Sequence, residues 1–149
     1  MLLTPRAEYA LRALAVLASE PAERWVAVAE LAERAHVPPA FLSKVMRQLV
    51  VAVIARGQKG HGGGFQLARP PHRIRVSDVL AAIDFTLAAD HCAFGWDKCS
   101  EGRPCPLHGM YGELKASFRQ WSERSTLADA DPRGHVAPLR RPRRGRGST

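Results

Sequence analysis

Apolar residues in this chain recur mostly at helical spacing. Thr4 and Pro5 suit an N-cap and a first helical position, and Leu11, Leu14 and Leu17 with Ala10, Ala15 and Ala18 form one stripe. This predicts a helix from about Pro5 to Ser19. Beyond Pro21, the run Trp25, Val26 and Ala27 predicts a short strand, and Leu31, Ala32 and Ala35 mark a two-turn helix through about Ala35. His36, Val37 and Pro38 make a turn, and Pro38 and Pro39 open a third helix. Its apolar positions Leu42, Val45, Met46 and Leu49 leave Pro39, Ala40, Ser43, Lys44, Arg47 and Gln48 on the other face. A short helix, a tight turn and a second helix with a basic polar face form the helix-turn-helix arrangement.

Val53 with Ile54, and Phe65 with Leu67, predict two strands joined by RGQKGHGGG, which reads as a wing. Its glycines let backbone amides approach phosphates, and Arg56, Lys59 and His61 supply charge. No Lys-Ser or Lys-Thr follows the glycines and no G-x-G-x-x-G opens a helix, so the loop does not match a nucleotide-binding motif. Ile74 and Val76 predict another short strand, and Ser77 is the expected cap of a helix with Val79, Leu80 and Ile83 inward. Near the end, Pro106 is the expected start of a long helix. In it Leu107, Tyr111, Leu114, Phe118 and Trp121 recur at alternating intervals of four and three. That heptad spacing predicts packing against another helix, either in a symmetric dimer or on the first helix of the same subunit. Thr126 is placed to cap a last short turn. From Pro132 onward the Arg, Pro and Gly content predicts a disordered basic tail.

Charge sharpens this picture. The net +8 divides into +6 over residues 1–76, −4 over residues 77–131 and +6 over residues 132–149. From Arg34 to Ser77 there are eight Lys or Arg and no Asp or Glu, the footprint of a phosphate-contacting surface. A length of 149 residues and 46% apolar content suit one domain with a modest core. No apolar run reaches membrane-spanning length and the first residues show no cleavage site for secretion, so a cytoplasmic protein is expected.

All three cysteines lie in one loop, with a C-x6-C-x5-C-x2-H spacing through Cys92, Cys99, Cys105 and His108. Gly95, Gly102 and Pro104 break any regular element there. Three thiols and an imidazole can wrap a metal centre. The wide spacings suit an iron-sulfur cluster better than the tight hooks of structural zinc, with free thiols or a redox pair as further alternatives. An odd number of cysteines in one loop builds no disulfide framework and fits a reducing compartment. No Ser-His-Asp set, paired-carboxylate cleft or nucleotide loop gives an enzyme an anchor.

With these parts in this order, the chain resembles the IscR and NsrR family of bacterial winged-helix regulators over about residues 1–130. The resemblance rests on FLSKVMRQL, QKGHGGGFQLARPP, VSDVLAAID and the cysteines leading into CPLH. It implies homodimers on palindromic double-stranded operators and, in many members, a 2Fe-2S or 4Fe-4S cluster whose state changes DNA affinity. His108 matches the histidine ligand of the IscR branch. Glu8, near the start of the first helix, is the alternative fourth ligand, because the NsrR branch can take a carboxylate from the partner subunit; His91 is a third choice. Two positions and one spacing depart from the family pattern: Val53 stands where Gly is usual, Gly57 where Ser is usual, and the first cysteine gap is one residue longer.

The expectation is therefore a mainly α protein with a small β wing. It divides into a winged helix-turn-helix DNA-binding domain (1–84), a cysteine cluster loop (85–105), a dimerisation helix (106–131) and the basic tail (132–149). The expected function is a transcriptional regulator, a repressor, sensing iron, redox state or nitric oxide. DNA contacts are expected from Pro39, Ala40, Ser43, Lys44, Arg47, Arg56, Lys59 and His61. The alternatives are a winged-helix regulator switched by thiol oxidation or holding structural zinc, and a zinc-stabilised protein-interaction module.

Overall fold

The computed structural model describes residues 3–86, 92–96 and 99–130. Helix α1 (Pro5–Ala18) is opened by Thr4, whose Oγ1 accepts the Ala7 N–H at 3.3 Å. It buries Ala7, Ala10, Ala13, Leu14, Val16 and Leu17, a face rich in alanine that lets α2 (Val28–Ala35) and α3 (Pro39–Val51) pack closely on it. The inward face is rotated slightly from the expected stripe, with Ala13 and Val16 inside while Leu11 and Ala15 are half-buried. Helix α3 buries Leu42, Val45, Met46 and Leu49, as the spacing predicts.

Both α2 and α3 end on a left-handed residue other than glycine. After α2 it is His36 (φ 53°), with the Val37 N–H reaching the Ala32 carbonyl at 3.0 Å. After α3 it is Val53 (φ 57°); the Ile54 N–H reaches the Leu49 carbonyl at 2.9 Å and the Val53 N–H reaches the Val50 carbonyl at 3.0 Å. In each case the reversal seats the next apolar residue, Val37 or Ile54, in the core.

This geometry moves the first wing strand. Val53 and Ile54 are consumed in closing α3, so β1 is Ala55–Gln58 and takes in Arg56, Gly57 and Gln58 from the expected loop. It pairs antiparallel with β2 (Gly64–Leu67), Ala55 opposite Leu67 and Gln58 opposite Gly64. The strand expected at Trp25–Ala27 reduces to one bridge, Val26 to Phe65, with backbone hydrogen bonds of 2.9 and 2.8 Å. Gly64 (φ 140°) permits that bridge, because a Cβ there would lie 2.0 Å from the Val26 carbonyl oxygen.

A 3₁₀ turn, Pro71–Arg73, leads to α4 (Val76–Ala82). Arg75 rather than Ser77 occupies its N-cap, and Asp78 Oδ2 accepts the Arg75 N–H at 2.9 Å. Ile74 and Val76 do not form a strand of their own; among the described residues their strand-like partner is the segment after α5 (His108–Arg124). The Val76 N–H donates to the Ser125 carbonyl and the Leu127 N–H to the Ile74 carbonyl, at 2.9 and 3.0 Å, around an Arg75 to Thr126 bridge. Leu127, fully buried, anchors that clamp. Thr126 and Asp129 then close a turn, with the Thr126 N–H on Asp129 Oδ2 at 2.8 Å.

Helix α5 starts two residues later than Pro106. It packs on α4 through Phe118, whose ring lies 6.0 Å from that of Phe85, and through Ser122. The heptad stripe therefore divides. Phe118 turns inward, Tyr111 is half-buried, and Leu107, Leu114 and Trp121 stay exposed beside Met110. The core joins α1 to α4 around Leu14, Leu31, Leu42, Met46, Leu49, Ile54 and Ile74, which makes the molecule a winged helix-turn-helix with an added C-terminal helix.

Candidate functional site

The three cysteine sulfurs converge, all within 4.8 Å of one another. Cys92 Sγ lies 3.4 Å from Cys105 Sγ, and Cys99 Sγ lies 3.1 Å from Nδ1 of His108, the first residue of α5. The loop achieves this with two tight turns. Gly95 (φ 71°) returns its N–H to the Cys92 carbonyl at 2.8 Å, and Ser100 and Arg103 bridge each other. Backbone amides point at the sulfurs: Phe94 N–H to Cys92 and Cys105 N–H to Cys99, each at 3.4 Å. The other imidazole nitrogen, Nε2, faces Oε1 of the exposed Glu101 at 3.4 Å.

Burial alone would push the Cys92 thiol up, but the Phe94 and Trp96 amides and the neighbouring thiols outweigh it, leaving it below the ordinary thiol value. Cys105 goes the other way, raised by burial and by Cys92 beside it. Three thiolates and an imidazole are a donor set that suits an iron-sulfur cluster and also zinc. Glu8 is in an ion pair with Arg12 at 3.2 Å on α1 and does not line this cleft; His91 lies outside the described residues.

A second surface lies between α3 and the wing. Ser43 and Arg47 line one groove with Gln58, Lys59 and Gly60, and Val28, Val50, Val51 and Phe65 give it apolar walls. Pro39, Ala40 and His61 are exposed. Lys44 turns toward a neighbouring hollow with Thr4, Arg6, Tyr9 and Phe41. Arg56 faces away from the groove; its Nη2 donates to Gln66 Oε1 at 2.6 Å, and it lines a separate cleft with Glu20, Arg24 and Arg69.

A winged helix with a basic reading helix narrows the choice of family, and comparison decides it. The Rrf2 family, described as iron-dependent transcriptional regulators, matches residues 3–130. The chain belongs to the Rrf2 family. An HTH-type transcriptional regulator of Mycobacterium tuberculosis (strain H37Rv) is 35% identical, with 100% of this chain and 94% of that one covered. Among solved structures, CymR, the global cysteine regulator of B. subtilis, superposes with a TM-score of 0.75 at 15% identity, covering 91% of this chain and 99% of that one. T. potens IscR gives 0.68 at 22% identity, covering 92% and 93%. As an Rrf2 protein the chain is a transcriptional regulator, and its relatives are regulators rather than enzymes. Among the described residues no helix is long and apolar enough to cross a membrane.

Sequence reasoning missed several residues of this Rrf2 chain. Tyr111 and Lys115 line the cysteine cleft, and their spacing from His108 along α5, three and then four residues, was the available signal. Phe41 stands exposed on α3 with its ring 6.1 Å from Tyr9. Gln48, on the polar face of α3, is half-buried and links α1 to the turn after α4: it accepts from Arg6 and donates to Asp84 Oδ2 at 3.5 Å.

Proposed function

We propose that this regulator binds a palindromic DNA operator as a homodimer, as a repressor. Its response to iron, redox state or nitric oxide runs through an iron-sulfur cluster on Cys92, Cys99, Cys105 and His108. The observation that carries this reading is the convergence of three sulfurs within 4.8 Å, with His108 Nδ1 beside Cys99 at the first turn of α5. A cluster bound there supplies a one-electron couple and iron centres open to small oxidants and nitric oxide.

The chain's own residues do the rest. His108 ties the loop to α5, and Glu101 sets which imidazole nitrogen faces the sulfurs. The exposed Met110, Leu114 and Trp121 on α5 form the subunit contact. Ser43, Arg47 and Lys59 meet the operator together, Ala40 and Lys44 extend the contact along α3, and Pro39 and His61 flank it. The four segments of the chain, 1–84, 85–105, 106–131 and 132–149, would then read DNA, hold the cluster, pair the subunits and add nonspecific charge.

Anaerobic purification with an absorption spectrum and counts of iron, sulfide and zinc tests the reading. Wild-type protein should carry iron and acid-labile sulfide, and Cys99→Ala should carry neither. Zinc without sulfide would favour a structural zinc site. His108→Ala and Glu8→Ala distinguish the fourth ligand. Bleaching in Glu8→Ala with an unaltered His108→Ala spectrum would place it on the partner subunit. A thiol-oxidation switch is favoured by one observation, the 3.4 Å approach of Cys92 and Cys105 sulfurs, and predicts a disulfide in metal-free protein that mass spectrometry would detect.

A further inference from the structure

The cysteine cleft has one wall built by α5 beyond His108. Tyr111 and Lys115 stand on the face of α5 that carries His108 and line the cleft with Cys92, Cys99 and Cys105. Lys115 is half-buried, and its Nζ lies 5.1 Å from the centre of the Tyr111 ring, a cation-π contact that holds the ammonium at the cleft.

We propose that Lys115 sets the reduction potential of the cluster held by Cys92, Cys99, Cys105 and His108. This rests on the iron-sulfur reading above. A cluster on three thiolates is negatively charged and becomes more so on accepting one electron. A cation in a partly buried cleft lowers the energy of the more negative state further, so the potential rises. The Phe94 and Cys105 amides act in the same sense, but they belong to the backbone that shapes the loop.

The test uses the full chain, reconstituted anaerobically, as wild type, Lys115→Met and Lys115→Arg. Each is titrated with dithionite through mediators and followed by absorption and electron paramagnetic resonance. The expected result is equal iron and sulfide in all three, a lower midpoint potential in Lys115→Met, and a return toward wild type in Lys115→Arg. An unshifted midpoint in fully loaded Lys115→Met overturns the proposal and leaves the iron-sulfur reading standing. So does Lys115→Arg behaving like Lys115→Met, since packing rather than charge would then matter. If Lys115→Met fails to load, Lys115→Gln takes its place, and failure of both neutral variants also overturns the proposal, because the lysine would serve assembly. A wild type that takes up no iron and sulfide overturns the reading and the inference together.

Discussion

A β-branched residue in the left-handed region costs about 1–2 kcal/mol, because its Cβ crowds the following carbonyl. Val53 accepts that cost so that α3 can reverse and seat Ile54 in the core, and it recovers little by burial, being 63% exposed. Val53→Gly should therefore raise stability by about 1 kcal/mol. Thermal unfolding would read this as a rise of several degrees, and no gain would mean that Val53 contributes in another way. The same residue shows why the wing was only partly legible from sequence. Two apolar residues after a helix look like a strand start, and only the closure geometry reveals that they are spent on the turn. The convergence of Cys92, Cys99 and Cys105 was readable because the three lie close together in one loop. The direction of the Arg56 side chain was not, because charge alone does not say which way a strand residue points, and its contact with Gln66 takes it off the α3 side. Within the reading groove, Arg47 and Lys59 should behave differently. Arg47→Ala, if the guanidinium pairs with a guanine, should cost about 1–3 kcal/mol and relax preference at one base pair. Lys59→Ala should weaken all sequences alike and flatten the salt dependence by about one unit of slope. Operator titrations at several salt concentrations check both, and unchanged affinity in both variants would remove this groove from DNA reading.

At the scale of elements, the joint between α1 and α2 is held by charge. Arg24 and Arg34 each pair with Glu20 and Glu30, at distances from 2.5 to 3.0 Å. Arg34, counted from sequence among the cations of the acid-free segment, thus serves the scaffold. Hydrogen bonds from Arg24 and then Arg34 hold the Glu20 carboxyl below its model-compound value of 4.5. A carboxyl lowered in the folded state stabilises the fold above its unfolded value and loses that contribution as pH falls through the folded value. Glu20→Gln should therefore lower the melting temperature near neutral pH and converge with wild type in acid, below about pH 4.5. A constant difference down to acid would show that the carboxylate charge is not responsible. Helix α5 poses a different question. It meets α4 with Phe118 and Ser122, which leaves Met110, Leu114 and Trp121 exposed. The heptad spacing was legible, but not its division between an intramolecular and an open face, since both obey one period. Leu114→Glu should shift the protein toward monomer in sedimentation while leaving helix content unchanged. A dimer that persists at wild-type strength would take this face out of the subunit contact.

At the scale of the whole molecule, α5 connects the two proposed activities. Its first residue, His108, lies beside Cys99, its middle carries the open apolar face, and the segment after it is clamped to Ile74 and Val76 at the start of α4. Assembly or loss of the proposed cluster at one end would therefore act on a helix tied at the other end to the winged-helix core. Two reading heads on one face of B-DNA must stand about 34 Å apart, and a shift of a few ångströms spoils simultaneous docking. A cluster can bias the dimer only by the difference in its binding to two geometries. A tenfold change in operator affinity requires about 1.4 kcal/mol of such difference, which lies within the usual range of coupling energies. We expect cluster-loaded and cluster-free protein to differ by at least about that factor on a palindromic site in anaerobic fluorescence anisotropy. Cys99→Ala should match the cluster-free form. The difference should also shrink on a single half-site, where spacing between heads is irrelevant. Equal affinity of loaded and free protein on the palindrome would sink the switch, and an undiminished difference on the half-site would locate it within one reading head instead of between two.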